Sequence, residues 1–199
     1  MIANTLNCHT RNALIPGRKN PCLSRRAYSA PQDADSCVST DRMNRFFETK
    51  SALTRNRIVA AARQWLGTPY VHQASAKGAG CDCLGLVRGL YAELLGAAPE
   101  TPPPYTPDWT EKRSREEPLL SAARRHLIEV EPHLVRPGQV LIFRIVKSGP
   151  AKHCGVASSH DEFIHAYAGR GVIESWLARW WLERVAGVFE FPGVDEWRS

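Results

Sequence analysis

Cys83, His153 and His165 are the residues of this sequence whose types, in this order, can do chemistry together. A cysteine is nucleophilic as its thiolate, which a helix N-terminus or a cationic neighbour stabilises. Cys83 follows Asp82, a helix-capping residue type, and so falls at the first helical position. Gly80 and Gly85 on either side leave room for backbone or substrate to come close. The base must arrive from elsewhere in the chain, with a third group holding its ring. If residues 158–160 form a three-residue hairpin loop, Ala157 pairs with Asp161 and His153 faces His165, their Cβ atoms about 5 Å apart. A loop one residue longer would misalign the two. In that arrangement His153 exchanges a proton with Cys83, and neutral His165 accepts a hydrogen bond from the other ring nitrogen of His153. The helix N-terminus, with the Cys83 N–H, supplies part of an oxyanion hole.

Each residue also has a plainer reading. A cysteine on the apolar side of a helix is usually a small core residue, and a histidine in a strand is usually structural. Cys154 alternates away from His153 and is expected in the core. Cys81 could join Cys83, His153 and His165 as metal ligands, but Cys-x-Cys is a poor zinc spacing and the nucleophile reading uses these residues better. His126 and His133 read as surface or loop residues and His160 as a turn residue. Trp176, Trp180 and Trp181 read as packing, with the wall of a cleft as the alternative. Arg124 and Arg125 read as a solvated face, since no aromatic interleaving accompanies them.

The elements that must hold these residues follow from periodicity. Thr54 caps a helix carrying Ile58, Ala61, Ala62, Trp65 and Leu66 at helical spacing, stopped by Gly67. After a loop over 67–80, a second helix runs from about Asp82 to Leu95 and stops at Gly96. Its apolar arc covers about half the circumference and leaves Arg88, Ala92 and Glu93 outside, so it packs deep against a sheet. Residues 99–107 hold five Pro and read as an extended connector. Ser114 and Glu117 then form a capping-box pattern before a third helix with Pro118 in its first turn and Leu119, Leu120, Ala123, Leu127 and Ile128 as its buried stripe. Beyond Gly138 the period becomes that of strands, at 140–146, 154–158, 162–167, 171–175 and 187–191, interrupted by a Trp-rich helical stretch over 176–184. Helices first and antiparallel strands second make an α+β domain.

Composition narrows the function classes. The chain has 199 residues, 26 Lys and Arg against 20 Asp and Glu, and 43% hydrophobic residues. That is ordinary globular composition and excludes collagen, coiled coil and wholesale disorder. The longest hydrophobic run, residues 58–62, is far below the roughly 20 residues of a membrane span or the roughly 7 to 15 of a signal-peptide core, which predicts a soluble chain without a Sec-type signal. Residues 1–42 carry six positive and three negative groups and half the cysteines, Cys8, Cys22 and Cys37. Residues 1–50 are expected to be a disordered basic leader, either a start assigned too far upstream, with Met43 the true start, or a transit peptide. Residues 51–199 are expected to form the working domain, with no nucleic-acid or membrane partner.

Four ordered motifs carry a resemblance over residues 54–192. Gly67-Thr68-Pro69-Tyr70 and Gly80-Cys81-Asp82-Cys83-Leu84-Gly85-Leu86-Val87 resemble the Tyr-containing loop and nucleophile motif of the NlpC-type cell-wall cysteine peptidases, a papain-like superfamily. Pro137-Gly138-Gln139-Val140 is similar to their Gly-Asp strand start, Lys152-His153-Cys154-Gly155-Val156 to the segment carrying the base, and Phe163-Ile164-His165-Ala166 to the segment orienting it. The resemblance implies N-terminal helices on an antiparallel sheet of about five to six strands. It implies hydrolysis of peptidoglycan stem peptides between D-γ-glutamate and a diamino acid, without metal or other cofactor. By position, Cys83 is the nucleophile, His153 the base and later acid, His165 the orienting residue, and Tyr70 and Asp82 belong to the substrate and oxyanion region. Cys-Asp-Cys-Leu-Gly and a Pro-Tyr-Thr-Pro-Asp-Trp loop are most similar to the phage and gene-transfer-agent branch. That implies phage-like tail proteins as partners, and either cytoplasmic accumulation until release or delivery to the wall in a particle. A non-catalytic tail-tip component, and an enzyme acting on another amide or ester, are the alternatives. Leu84, Gln139 and Val71-His72-Gln73 depart from the family pattern and are expected around the substrate cleft.

Overall fold

In the computed structural model, residues 52–105 and 116–195 are described. The leader over 1–50, Ser114 of the capping pattern and residues 106–109 of the Pro-rich loop lie outside them. Helix α1 (Arg55–Arg63) starts where the Thr54 hydroxyl accepts the Arg57 N–H at 3.2 Å. It buries Ile58, Val59 and Ala62, and the turn that follows buries Trp65, while Leu66 emerges to solvent. A small hairpin, β1 (Ser75–Ala76) and β2 (Gly80–Cys81), occupies the expected loop. Helix α2 (Cys83–Leu95) is capped by Asp82, and Gly96, at φ +89°, takes the left-handed conformation that ends it. Helix α3 (Pro118–His126) begins with proline, but Glu117 does not cap it. The Glu117 carboxylate instead accepts the Ala151 N–H at 2.9 Å and pairs with Arg144.

The strands β3 (Ile128–Val130), β4 (Val140–Phe143), β5 (His153–Ala157), β6 (Glu162–Tyr167), β7 (Gly171–Trp176) and β8 (Val185–Glu190) form one antiparallel sheet in the order β3-β8-β4-β5-β6-β7. Alternation divides the core between its two faces. Val140, Ile142, Cys154, Val156, Ile164 and Ala166 pack against the helices through Leu86, Val87 and Leu90. Leu141, Phe143, Ala157 and Phe163 pack on the other face beneath Leu177 and Trp181. The α+β class with a six-stranded antiparallel sheet is therefore as expected.

Three local expectations are corrected. Ile128, assigned to the third helix, lies in edge strand β3 and is exposed, because pairing with β8 takes its backbone out of the helix. The Trp-rich stretch is mostly not helical: Trp176 ends β7, and helix α4 is one turn, Arg179–Leu182. Gln139 is 3% exposed and is not among the residues that line the cleft beside Cys83, with its Nε2 donating to Glu190 at 3.0 Å. Arg55 pairs with the same Glu190 at 2.5 Å, a buried link between the start of α1 and the end of β8. Among the described residues no helix is long and apolar enough to cross a membrane.

Candidate active site

The site lies where the sheet opens. The β5–β6 ladder joins Val156 to Ile164 and Ala157 to Phe163 and extends no further toward His153. There β5 stays with β4 as far as the Phe143–His153 pair, and β6 stays with β7 as far as Tyr167–Gly171. Helix α2 packs on one face of β5, and His153 projects from the other. The opening lets the helix N-terminus meet both: the Cys154 thiol, on the helix side, donates to the Cys83 carbonyl oxygen at 3.2 Å, and the Cys83 sulfur reaches the His153 ring.

The register differs from the expected one, and the histidines meet all the same. Ala157 pairs with Phe163 rather than Asp161, so His165 stands opposite Gly155 and His153 is its diagonal neighbour. A shift of two leaves both rings on one face, because side chains alternate with period 2. Glycine at 155 is what permits the diagonal contact. A Cβ there would lie 2.7 Å from the Ile164 oxygen and 3.0 Å from the His165 Cβ.

The rings form a directed chain. His153 Nε2 lies 2.8 Å from His165 Nδ1, and His165 Nε2 lies 3.0 Å from the Ser175 hydroxyl. His165 is 1% exposed, and burial first, then the charge of His153, pushes its pKa down to about 3. In the tautomer in which neutral His165 donates from Nε2 to Ser175, its Nδ1 lone pair accepts from His153 Nε2, and His153 Nδ1 is left for Cys83. Phe163 stacks on His165 with centroids 4.3 Å apart, and Trp181 stacks on His153 at 5.4 Å. These contacts fix both ring planes.

At Cys83, the hydrogen bond from the Cys154 thiol, then the bond and charge of His153, hold the thiol pKa well below that of a free thiol, against burial and Asp82. The same contact and burial push Cys154 up, so Cys83 is the thiolate of the pair. Asp82 is 2% exposed and faces protein rather than substrate. Its Oδ1 accepts the Gly85 N–H at 2.8 Å, and its Oδ2 accepts the Gln73 N–H at 2.7 Å and the Tyr105 hydroxyl. The first intrahelical donor of α2 is the Leu86 N–H, so those of Cys83 and Leu84 precede the ladder.

The cleft has a volume of about 750 Å³ and is lined by Tyr70, Cys83, Tyr105, His153, His165 and Trp181, among others. Tyr70 is half-buried on the loop that bridges to Cys81, and burial first, then Cys83 and Asp82, raises its pKa, keeping its hydroxyl a donor. Gly85 and Gly80 make room for protein, not substrate: Cβ atoms there would meet the Ala74 carbonyl at 1.8 Å and the Val71 side chain at 2.4 Å. Of the departing residues, only His72 lines the cleft, while Leu84 packs toward the helix-side core. Cys81 is fully buried, burial and then Asp82 push its thiol up to about 11, and among the described residues no group of three or more His, Cys, Asp or Glu could hold a metal.

The model of the NlpC/P60 family matches residues 67–190, more than half of the chain. The chain belongs to the NlpC/P60 family. The NlpC/P60 match takes in the Tyr70 loop, α2, β5 and β6, so every residue assigned to the site lies within it. Gamma-DL-glutamyl hydrolase of Bacillus subtilis (strain 168) is 27% identical over 138 residues, 69% of this chain and 29% of that protein. The fold is similar to that of an NlpC/P60 family protein from Bacillus cereus ATCC 10987, at TM-score 0.51 and 18% identity, over 70% of this chain and 41% of that one. It is similar also to NlpC2 from Trichomonas vaginalis, at TM-score 0.52 and 18% identity, over 73% and 50% of the two chains. The chain thus spans less than a third of the curated relative and half or less of these two solved chains.

Sequence reasoning missed two residues of the site. Ser175 lies in a run read as a strand, and its alignment with His165 follows only from the β6–β7 register. Tyr105 lies in the Pro-rich connector, where no period marks which side chain turns inward.

Proposed function

We propose that the protein is a cysteine peptidase that hydrolyses the amide between D-γ-glutamate and the diamino acid of peptidoglycan stem peptides. The observation that carries the reading is the chain from Cys83 through His153 and His165 to Ser175, in which burial keeps His165 neutral. The relative named gamma-DL-glutamyl hydrolase supports the γ-glutamyl bond.

The Cys83 thiolate attacks the scissile carbonyl, and the resulting oxyanion meets the Cys83 and Leu84 N–H groups, with the Tyr70 hydroxyl on the cleft wall. His153, protonated at Nδ1, gives that proton to the leaving amine as the C–N bond breaks. The thioester remains on Cys83. Water then attacks it, His153 Nδ1 takes one of the water's protons, the C–S bond breaks with thiolate and imidazolium restored, and the γ-carboxylic acid leaves and gives its proton to solvent. Asp82 acts indirectly by fixing the helix start.

Incubation with purified sacculi, followed by mass spectrometry, tests the reading. New free amino termini on the diamino acid are expected, and their appearance at the wild-type rate with Cys83→Ala would refute it.

A further inference from the structure

The described walls of the cleft are cationic without a matching anion. Lys152 and Arg170 line it, and among the described residues neither has an ion-pair or hydrogen-bond partner for its side chain. Among the described residues its one lining carboxylate, Asp82, is buried and already accepts three hydrogen bonds. Strand order fixes the places of the two cations. Lys152 immediately precedes β5, its N–H still donating to the last β4 residue, Phe143, at 3.1 Å. Arg170 lies in the turn from β6 to β7. Both are at the end of the sheet where β5 begins, one beyond β5 and one beyond β6, and Cys83 enters between those strands.

We propose that Lys152 and Arg170 bind free carboxylates on the two sides of the scissile amide, and so select stems that are not amidated. Lys152 adjoins His153, which protonates the leaving amine, and therefore faces the diamino acid. It binds a side-chain carboxylate there, as diaminopimelate has and lysine lacks. Arg170 faces the acyl side and binds the α-carboxylate that a γ-linked glutamate leaves free. A cation at hydrogen-bonding distance from a carboxylate discriminates against the neutral amide by about tenfold or more.

The inference rests on the peptidase reading, and the experiment separates the two. The whole chain is assayed for kcat/KM on γ-D-glutamyl-diaminopimelate peptide, on the same peptide with the glutamyl α-carboxylate amidated, and on one with the diaminopimelate side-chain carboxylate amidated. Wild type is expected to prefer the first by about tenfold or more over each amide. Arg170→Gln is expected to bring the preference over the glutamyl amide toward unity, and Lys152→Gln the preference over the diaminopimelate amide, with circular dichroism verifying the fold of each variant. Equal cleavage of all three by wild type overturns the cation assignment and leaves the peptidase standing. Preferences that survive both substitutions, or respond to the opposite one, also overturn it. Cleavage of none overturns both readings.

Discussion

Gly155→Ala puts the smallest possible group at the place where β5 and β6 part. In a strand, alanine is favoured over glycine by about 0.5–1 kcal/mol, so propensity alone predicts stabilisation. Space predicts the reverse. The new Cβ would lie 2.7 Å from the Ile164 oxygen, 2.9 Å from a Phe163 ring carbon and 3.0 Å from the His165 Cβ. One of these is backbone and the others belong to buried side chains, so β5 must move by about 0.7 Å to restore an ordinary 3.4 Å contact. Overpacking of this kind costs about 1–3 kcal/mol, which outweighs propensity and leaves the variant less stable. The displacement opens the 2.8 Å contact between His153 and His165, and misplacement approaching 1 Å lowers kcat/KM by about tenfold to a hundredfold. Urea denaturation measures the first effect and cleavage of a γ-D-glutamyl peptide the second. A variant as stable as wild type, with kcat/KM within about twofold, would refute the claim that an absent side chain at 155 sets the histidine pair.

Three further outcomes are expected. Iodoacetamide should alkylate Cys83 at pH values well below the roughly 8.5 of a free thiol, since the Cys154 bond and His153 lower its pKa, and a midpoint at the free-thiol value would contradict this. Burial holds His165 at about 3, below the roughly 6.5 of an unfolded chain. Its contribution to stability is thus fully present above about pH 6.5 and is lost as pH falls toward 3, a slope that denaturation across this window should show reduced in His165→Asn. Arg55→Met strips Glu190 of its buried partner and should cost about 3–5 kcal/mol in urea denaturation, much of which the further change Glu190→Leu should restore.

Much of the site was legible because local chemistry and global fold agree there. Asp82 caps, Gly96 stops and the apolar arc between them faces the sheet, so α2 and its first residue followed from sequence. The face shared by His153 and His165 was also legible, since alternation survives an even error. Their register was not, because it depends on a turn in which Ser159 bonds Asp161 and Ser158 bonds back to Glu162. Gln139 was misplaced for a different reason. Its partner is 51 residues away in β8, and a polar residue at a departure from the family pattern reads as a specificity position until that partner is in view. Ile128 satisfied the helical stripe as well as it satisfies β3, and the choice between them was made by the edge of β8.

Asp82 also bears on how reactive the Cys83 thiolate is. A thiolate becomes a weaker attacking group the more it is stabilised, its nucleophilicity falling with pKa at a Brønsted slope of about 0.4–0.5. Cys154 first, then His153, stabilise the Cys83 thiolate, and the Asp82 carboxylate opposes them. The anion that fastens Gln73, Gly85 and Tyr105 therefore also acts as ballast on the sulfur, offsetting part of the pull that would make it abundant but inert.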